Sequence, residues 1–94
     1  MSEPMSYSVL IDAMYRVKEA DKAKELMLRN LNYIKEYMNY YTAITKGSNP
    51  NVSSNVYWAL KGLADLKMIA DEHKDVEAQA LANELMTKYN HYYQ

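Results

Sequence analysis

Apolar side chains recur every three or four positions along almost the whole chain, which is the period of an amphipathic α-helix. Glycine and proline occur only twice each, too rarely for the turn that an all-β chain makes about every 8–12 residues. The pattern predicts an all-α fold with helices over about residues 6–18, 21–46, 50–72 and 75–89. Residues 1–94 are therefore expected to form a single helical domain.

Each predicted helix carries one apolar stripe that is expected to face the core. In the first helix the stripe contains Tyr7, Leu10, Ile11, Met14 and Val17. In the second it contains Ala23, Leu26, Met27, Asn30, Leu31, Ile34, Tyr37, Met38, Tyr41 and Ile44. In the third it contains Val56, Ala59, Leu60, Leu63, Leu66 and Ile69 or Ala70, widened by Tyr57, Ala64 and Met68. In the fourth it contains Ala78, Leu81, Ala82, Leu85, Met86 and Tyr89.

Polar residues and short connections predict how the helices begin, end and pair. The candidate N-caps are Ser6, Asp21, Asn49 and Asp75. Gly47 suits the left-handed position after the long second helix, and Pro50 suits the first turn of the third. The connections at Glu19-Ala20 and His73-Lys74 are too short for anything but antiparallel neighbours. The expected architecture is therefore two stacked helical hairpins.

Composition excludes several classes of protein. Eleven basic and twelve acidic residues give a formal charge of −1, so the chain has no excess charge to attract nucleic acid or an anionic membrane. The absence of cysteine excludes disulfides and thiolate metal sites. No apolar run approaches the roughly 20 residues that span a bilayer, so we expect a soluble chain without direct membrane insertion.

The titratable residues do not form a recognisable reactive motif. Asp71-Glu72-His73 with Asp75 has the right ligand types for a metal, but adjacent helical residues point about 100° apart and do not converge. Neither histidine follows a glutamate by three residues, as a di-iron bundle requires. Three carboxylates at the edges of the apolar stripes are expected to be boundary residues: Asp12, Glu36 and Asp65. We therefore expect no catalytic, cofactor-binding or metal-binding residues.

Aromatic residues form the most distinctive candidate surface. The chain has ten tyrosines and no phenylalanine, and six aromatic residues cluster at Tyr33, Tyr37, Tyr40, Tyr41, Tyr57 and Trp58. Tyr37 and Tyr41 belong to the core stripe, so Tyr33 and Tyr40 are expected to be partly exposed. One interpretation is that these rings cover the long helix beyond the ends of its shorter neighbours. The other is that they form a partner-binding face for a peptide or a helix.

The first predicted hairpin resembles a tetratricopeptide unit. That repeat places large apolar residues on its first helix and an alanine early in its second. Tyr7, Leu10 and Met14 match the first set, and Ala23 and Met27 match the second. The resemblance implies a tetratricopeptide-like arrangement of the hairpins.

Four further stretches carry a resemblance that covers nearly the whole chain. They are Ala20-Asp21-Lys22-Ala23, Met38-Asn39-Tyr40-Tyr41, Asp75 with Glu77-Ala78, and the closing Tyr89-Asn90-His91-Tyr92-Tyr93-Gln94. In these the chain is similar to the helical C-terminal tail of a bacterial domain-of-unknown-function family, DUF2723. Its members are multi-spanning membrane proteins that look like glycosyltransferases using lipid-linked sugars.

That resemblance implies an accessory domain and no catalytic residue in this chain. It also implies attachment to the bacterial inner membrane through a missing N-terminal region, with the periplasmic side favoured. The predicted function is thus a non-catalytic helical interaction or scaffold domain that binds a protein or peptide, or associates with itself. The alternative is a stand-alone small helical bundle that binds a small ligand between its hairpins.

Overall fold

The computed structural model describes residues 6–44 and 50–89, and in these ranges the chain is helical with no strand. The helices are α1 (Ser8–Arg16), α2 (Ala20–Ile44), α3 (Pro50–Glu72) and α4 (Val76–Tyr89). Their ends lie within two residues of the predicted ones. The predicted all-α fold is confirmed, and Pro50 begins α3 as expected.

The long helices α2 and α3 form the centre of the molecule. α1 folds back on α2 to make the first hairpin, and α4 folds back on α3 to make the second. α2 packs against α3, while α1 and α4 each pack against both of the central helices. One hydrophobic cluster therefore runs through all four helices.

The connection between α1 and α2 contains a lysine in the left-handed conformation. Lys18 has a φ of 64°, a region that favours glycine because it carries no Cβ. The amide of Lys18 donates to the carbonyl of Tyr15 at 3.1 Å, and the amide of Glu19 donates to that of Met14 at 2.8 Å. These are the two hydrogen bonds of a Schellman motif, so three residues suffice to reverse the chain.

The turn after α3 repeats this geometry. Lys74 has a φ of 55°, and its amide donates to the carbonyl of Asp71 at 3.3 Å. The amide of Asp75 donates to the carbonyl of Ala70 at 3.0 Å. Asp75 then caps α4, because its Oδ1 accepts from the amide of Ala78 at 3.2 Å. The predicted cap at Asp75 is confirmed.

The other predicted caps differ from the structure. Tyr7 occupies the N-cap position of α1, although the hydroxyl oxygen of Ser6 still accepts from the amide of Ser8 at 3.1 Å. α2 begins at Ala20, so Asp21 lies inside its first turn, where its charge meets the positive end of the helix dipole. Gly47 and Asn49 lie outside the described residues.

The predicted stripes of α2 and α4 and the narrow stripe of α3 face the core, although Leu26, Tyr37, Tyr41, Leu81 and Met86 are half-buried and the side chain of Ile44 is outside the described part of the structure. The buried apolar residues are Ile11, Ala23, Met27, Leu31, Ile34, Met38, Val56, Ala59, Leu60, Leu63, Leu66, Ile69, Ala70, Ala78, Ala82, Leu85 and Tyr89. The predicted widening of the α3 stripe is wrong, because Tyr57, Ala64 and Met68 are exposed. Each lies about 100° or more around the helix from Leu63, which faces the centre of the core.

The predicted face of α1 is only partly correct. Ile11 is fully buried and Met14 is half-buried, but Tyr7, Leu10 and Val17 are exposed. The cause is the rotation of α1, which turns Asp12 and Tyr15 toward the α3–α4 turn. That rotation carries Leu10 and Val17 away from the core, because they lie about 100° behind Ile11 on the helix.

Leu63→Ala should lower the free energy of unfolding by about 2–5 kcal/mol, because it removes a fully buried side chain from the central helix. Met68→Ala on the same helix is the matched control, since that side chain is 61 % exposed. Urea unfolding of the two variants measures the difference. Equal stability of both variants would place Leu63 outside the core.

Lys18→Gly should stabilise the protein by about 0.5–1 kcal/mol, because glycine adopts a positive φ without steric cost. Lys18→Ala is the control, since it removes the same charge but keeps the Cβ. We expect a higher melting temperature for the glycine variant alone. The left-handed geometry at this turn would be contradicted by identical melts of the two variants.

Candidate functional site

The aromatic surface consists of the six residues singled out in the sequence, on α2 and α3. Four of its rings are well exposed: Tyr33 by 42 %, Tyr40 by 61 %, Tyr57 by 43 % and Trp58 by 53 %. Tyr37 and Tyr41 are half-buried and pack against the core. The predicted division between exposed and core-facing tyrosines on α2 therefore agrees with the structure.

Ring contacts join the four tyrosines of α2. The centroids of Tyr33 and Tyr37 lie 6.0 Å apart, and those of Tyr37 and Tyr41 lie 4.5 Å apart. Tyr40 meets Tyr41 edge to face at 4.9 Å. Spacings of three and four residues along a helix bring such side chains together. The half-buried rings thus hold the exposed ones in place.

Burial affects the chemistry of the central tyrosine. Loss of solvent raises the pKa of Tyr37 to about 12, and the neighbouring hydroxyls of Tyr41 and Tyr33 add to the effect. Its hydroxyl is therefore protonated at any physiological pH, and it can donate as well as accept hydrogen bonds.

On α3 the adjacent residues Tyr57 and Trp58 form a second aromatic pair. Their ring centroids lie 5.2 Å apart with nearly perpendicular planes, an edge-to-face geometry that favours contact between aromatic rings. The aromatic surface thus includes the chain's single tryptophan, whose emission can report on this site.

A cluster of charged residues ties α1 to the end of α3. Nε2 of His73 lies 2.7 Å from Oδ1 of Asp12, and the carboxylate can only accept, so this ring nitrogen carries the proton. Nε of Arg16 donates to Oδ2 of Asp12 at 2.9 Å, and its Nη2 donates to Oε1 of Glu72 at 3.1 Å. One guanidinium therefore joins two carboxylates from two helices.

Tyr15 extends the cluster to α4. Its ring stacks on His73 with the centroids 4.3 Å apart and the planes almost parallel. Its hydroxyl donates to Oδ2 of Asp75 at 2.6 Å, while the other oxygen of that carboxylate caps α4. Burial raises the pKa of Tyr15, and the hydrogen bond to Asp75 raises it further. The cluster therefore fixes α1 against both the end of α3 and the start of α4.

Three members of the cluster offer potential metal ligands. Asp12, Glu72 and His73 each place one ligand atom within 4.8 Å of the others. The guanidinium of Arg16 bonds to both carboxylates, so the cluster already pairs them with a positive charge. The arrangement is accounted for as an ion-pair network.

The four potential ligands that lie close together in the sequence, Asp71, Glu72, His73 and Asp75, do not converge on one point in the structure. The carboxylate of Asp71 accepts from Nζ of Lys67 at 2.7 Å and from the side-chain Nε2 of Gln79 at 3.0 Å. The carboxylate of Asp75 accepts from the hydroxyl of Tyr15 and from the amide of Ala78 at the start of α4. Asp12 joins Glu72 and His73 instead, and no local spacing could have indicated this, because Asp12 is 61 residues from His73.

The other two carboxylates expected at the edges of the apolar stripes lie outside this cluster. Glu36 is exposed and Asp65 is half-buried. Each buried side-chain nitrogen or oxygen in these ranges has a hydrogen-bond partner. One of them is Oδ1 of the buried Asn30, which accepts from the amide of Tyr7 at 2.7 Å.

Among residues 6–44 and 50–89, no helix combines the length and apolar character required to cross a membrane. Comparison of the chain with protein-family models, with curated proteins and with solved structures returned no match. The resemblances to the tetratricopeptide repeat and to the membrane-protein family therefore stay predictions.

The ion-pair cluster predicts a loss of stability in acid that depends on Asp12. Hydrogen bonds with His73 and Arg16 hold the pKa of Asp12 below its ordinary value of 3.8. A carboxyl group whose folded-state pKa is lowered stabilises the fold above its unfolded pKa, here near 4. That contribution is lost as the pH falls through the lower, folded-state value.

Melting temperatures measured between pH 7 and pH 2.5 should therefore fall less steeply for Asp12→Asn than for the unchanged protein. Glu36→Gln controls for the loss of one exposed negative charge, and we expect it to leave the acid slope unchanged. Parallel pH profiles for the unchanged protein and Asp12→Asn would mean that the cluster adds nothing to acid stability.

Proposed function

We propose that this chain is a non-catalytic helical interaction domain that binds a protein or peptide through its aromatic surface. The observation that carries the proposal is the exposure of Tyr33, Tyr40, Tyr57 and Trp58 on two adjacent helices. Tyrosine and tryptophan are enriched in the centres of protein interfaces, where they combine a large apolar area with one polar group. The other large apolar side chains exposed in the described ranges lie outside this surface and, apart from Tyr7, are aliphatic: Tyr7, Val9, Leu10, Val17, Met68 and Val76.

The packing of the α2 tyrosines supports the same function. Tyr37 and Tyr41 are anchored in the core, and their rings contact Tyr33 and Tyr40. Rings that are already ordered lose little conformational entropy when a partner covers them. A preorganised aromatic surface therefore gains affinity from apolar contact at a small cost.

The proposal of a non-catalytic role has its own support. In the described residues the conspicuous titratable cluster is satisfied internally by Arg16, and the buried polar atoms have partners. A catalytic acid or base instead needs to face a bound substrate with its proton-transfer capacity unused.

The resemblance to the bacterial membrane-protein family suggests where such a domain would act. We propose that it is the C-terminal part of a glycosyltransferase-like protein anchored in the inner membrane, with the periplasmic side favoured. The encoding reading frame provides the check: several membrane-spanning segments upstream of Met1 and in frame with it are expected.

The alternative of a small-ligand site between the hairpins has no specific observation in its favour. On the central helices Ile34, Met38, Leu63 and Leu66 are fully buried in the hydrophobic cluster. A ligand site would instead combine an enclosed space with converging polar groups.

The Tyr33→Ala, Tyr40→Ala double variant should lose about tenfold or more of its affinity for a natural partner, because truncating exposed aromatic anchors removes binding energy. The partner is obtained by affinity capture from native extracts, purified, and titrated against both proteins by isothermal calorimetry. Circular dichroism verifies that the double variant is folded.

Val76→Ala is the matched control for that titration, since Val76 is an exposed apolar residue on α4, outside the aromatic surface. Its affinity should stay within about twofold of the unchanged protein. Retention of full affinity by the double tyrosine variant would reject the aromatic surface as the binding site.

A further inference from the structure

The tyrosines of α2 continue the stripe on which α1 is seated. Leu26, Asn30, Tyr33, Tyr37 and Tyr41 follow one another at intervals of three or four residues, so they form one line along the helix. α1 covers the beginning of this line, and its first turn is bonded there through the amide of Tyr7 and Oδ1 of Asn30. Beyond Asn30 the same line presents the tyrosines.

α3 provides the second side of the same groove. α1 bonds to the last residue of α3, Glu72, and to His73 directly after it. Counting back from His73 at intervals of three or four residues, the same flank of α3 contains Ile69, Asp65, Gly62 and Trp58. Trp58 therefore lies on the flank of α3 that α1 contacts further along. Tyr57 lies about 100° away around the helix, outside this flank.

The groove between α2 and α3 is consequently divided along its length. α1, which has nine residues, occupies the half near the two tight turns. Helical spacing assigns the other half to Tyr33, Tyr37, Tyr40 and Tyr41 on α2 and to Trp58 on α3, and we name it the aromatic groove. From Asn30 to Ile44 it extends for about 20 Å, or roughly four helical turns.

We propose that the aromatic groove binds an amphipathic helix of a partner protein, in line with α1. This inference rests on the proposed function and adds the class of partner to it. The support is continuity with α1, which is itself a short helix seated between α2 and α3 with Ile11, Met14 and Tyr15 turned inward. The aromatic groove is formed by the same flanks of α2 and α3 that α1 packs against, so a second helix can pack there in the same way.

Charges at the rim indicate the character of the partner helix. On α2, Arg29 lies one turn before Tyr33 and Glu36 lies one turn before Tyr40. On α3, Lys61 lies one turn after Trp58 and Asp65 lies two turns after it. Two positive and two negative charges cancel, so the groove has no net attraction for an acidic or a basic helix. The partner stripe is therefore apolar, and its affinity should change little between low and moderate salt.

A selection from a random peptide library tests the class of partner without knowledge of its identity. The full chain is immobilised and panned against phage-displayed random 16-residue peptides. We expect enriched sequences with apolar residues at positions i, i+3, i+4 and i+7. Enrichment of proline-rich sequences with the PxxP pattern, or no enrichment at all, would overturn the proposal.

The consensus peptide is then synthesised, labelled and titrated by fluorescence anisotropy. Trp58→Ala and Tyr40→Ala should each weaken binding by about tenfold or more, while Val76→Ala should change it by less than about twofold. Equal losses at Trp58 and Val76 would show that the peptide binds elsewhere.

The single tryptophan reports directly on occupancy of the groove. Trp58 is half-exposed, so its emission should shift to shorter wavelength when the helical peptide covers it. A peptide of the same composition with its apolar stripe scrambled should leave the emission unchanged. If the emission of the protein alone shifts in this way as its concentration rises, a second copy covers the groove and the partner-helix proposal is wrong.

Failure of this inference is distinguishable from failure of the proposed function. If helical peptides do not bind, yet the Tyr33→Ala, Tyr40→Ala variant still loses its natural partner, the aromatic surface binds a partner of another class. If both experiments are negative, the interaction function itself is rejected.

Discussion

The pairing of α2 with α3 is the contact on which the rest of the structure depends. These helices have 25 and 23 residues, pack against each other and carry fully buried side chains such as Ile34 and Leu63. The short helices α1 and α4 pack against both of them. A chain of this size buries only about 60–65 % of its unfolded surface, and the described helices share a single hydrophobic cluster. Every other feature is arranged around the seam.

The difference in length between α1 and α2 creates the aromatic groove. α1 has nine residues, whereas α2 has 25, so more than half of α2 extends past its hairpin partner on that flank. An apolar stripe left open to water favours aggregation, whereas a polar stripe could not pack against the core at Tyr37 and Tyr41. Tyrosine meets both demands, because its ring packs while its hydroxyl reaches solvent. This accounts for tyrosine at these four positions of α2.

Local periodicity was sufficient to predict the helices and the core faces of α2 and α4, and it identified the exposed and buried tyrosines of α2. It failed for α1, where Leu10 and Val17 are exposed. The orientation of α1 is set by Asp12 and Tyr15, whose partners are about 60 residues away in the α3–α4 turn. Contacts between residues so far apart leave no trace in helical spacing. The left-handed lysines also escaped prediction, because glycine is the usual residue there.

The ion-pair cluster and the aromatic groove lie at opposite ends of α1. α1 has one fully buried residue, Ile11, so its apolar contacts alone hold it weakly. The bonds of Asp12, Tyr15 and Arg16 with the α3–α4 turn compensate for this by fixing the end of α1 away from the groove. The start of α1 is held at Asn30, directly beside the first exposed tyrosine. A helix in the aromatic groove would therefore meet a fixed neighbour, and the geometry of its seat would not have to be formed on binding.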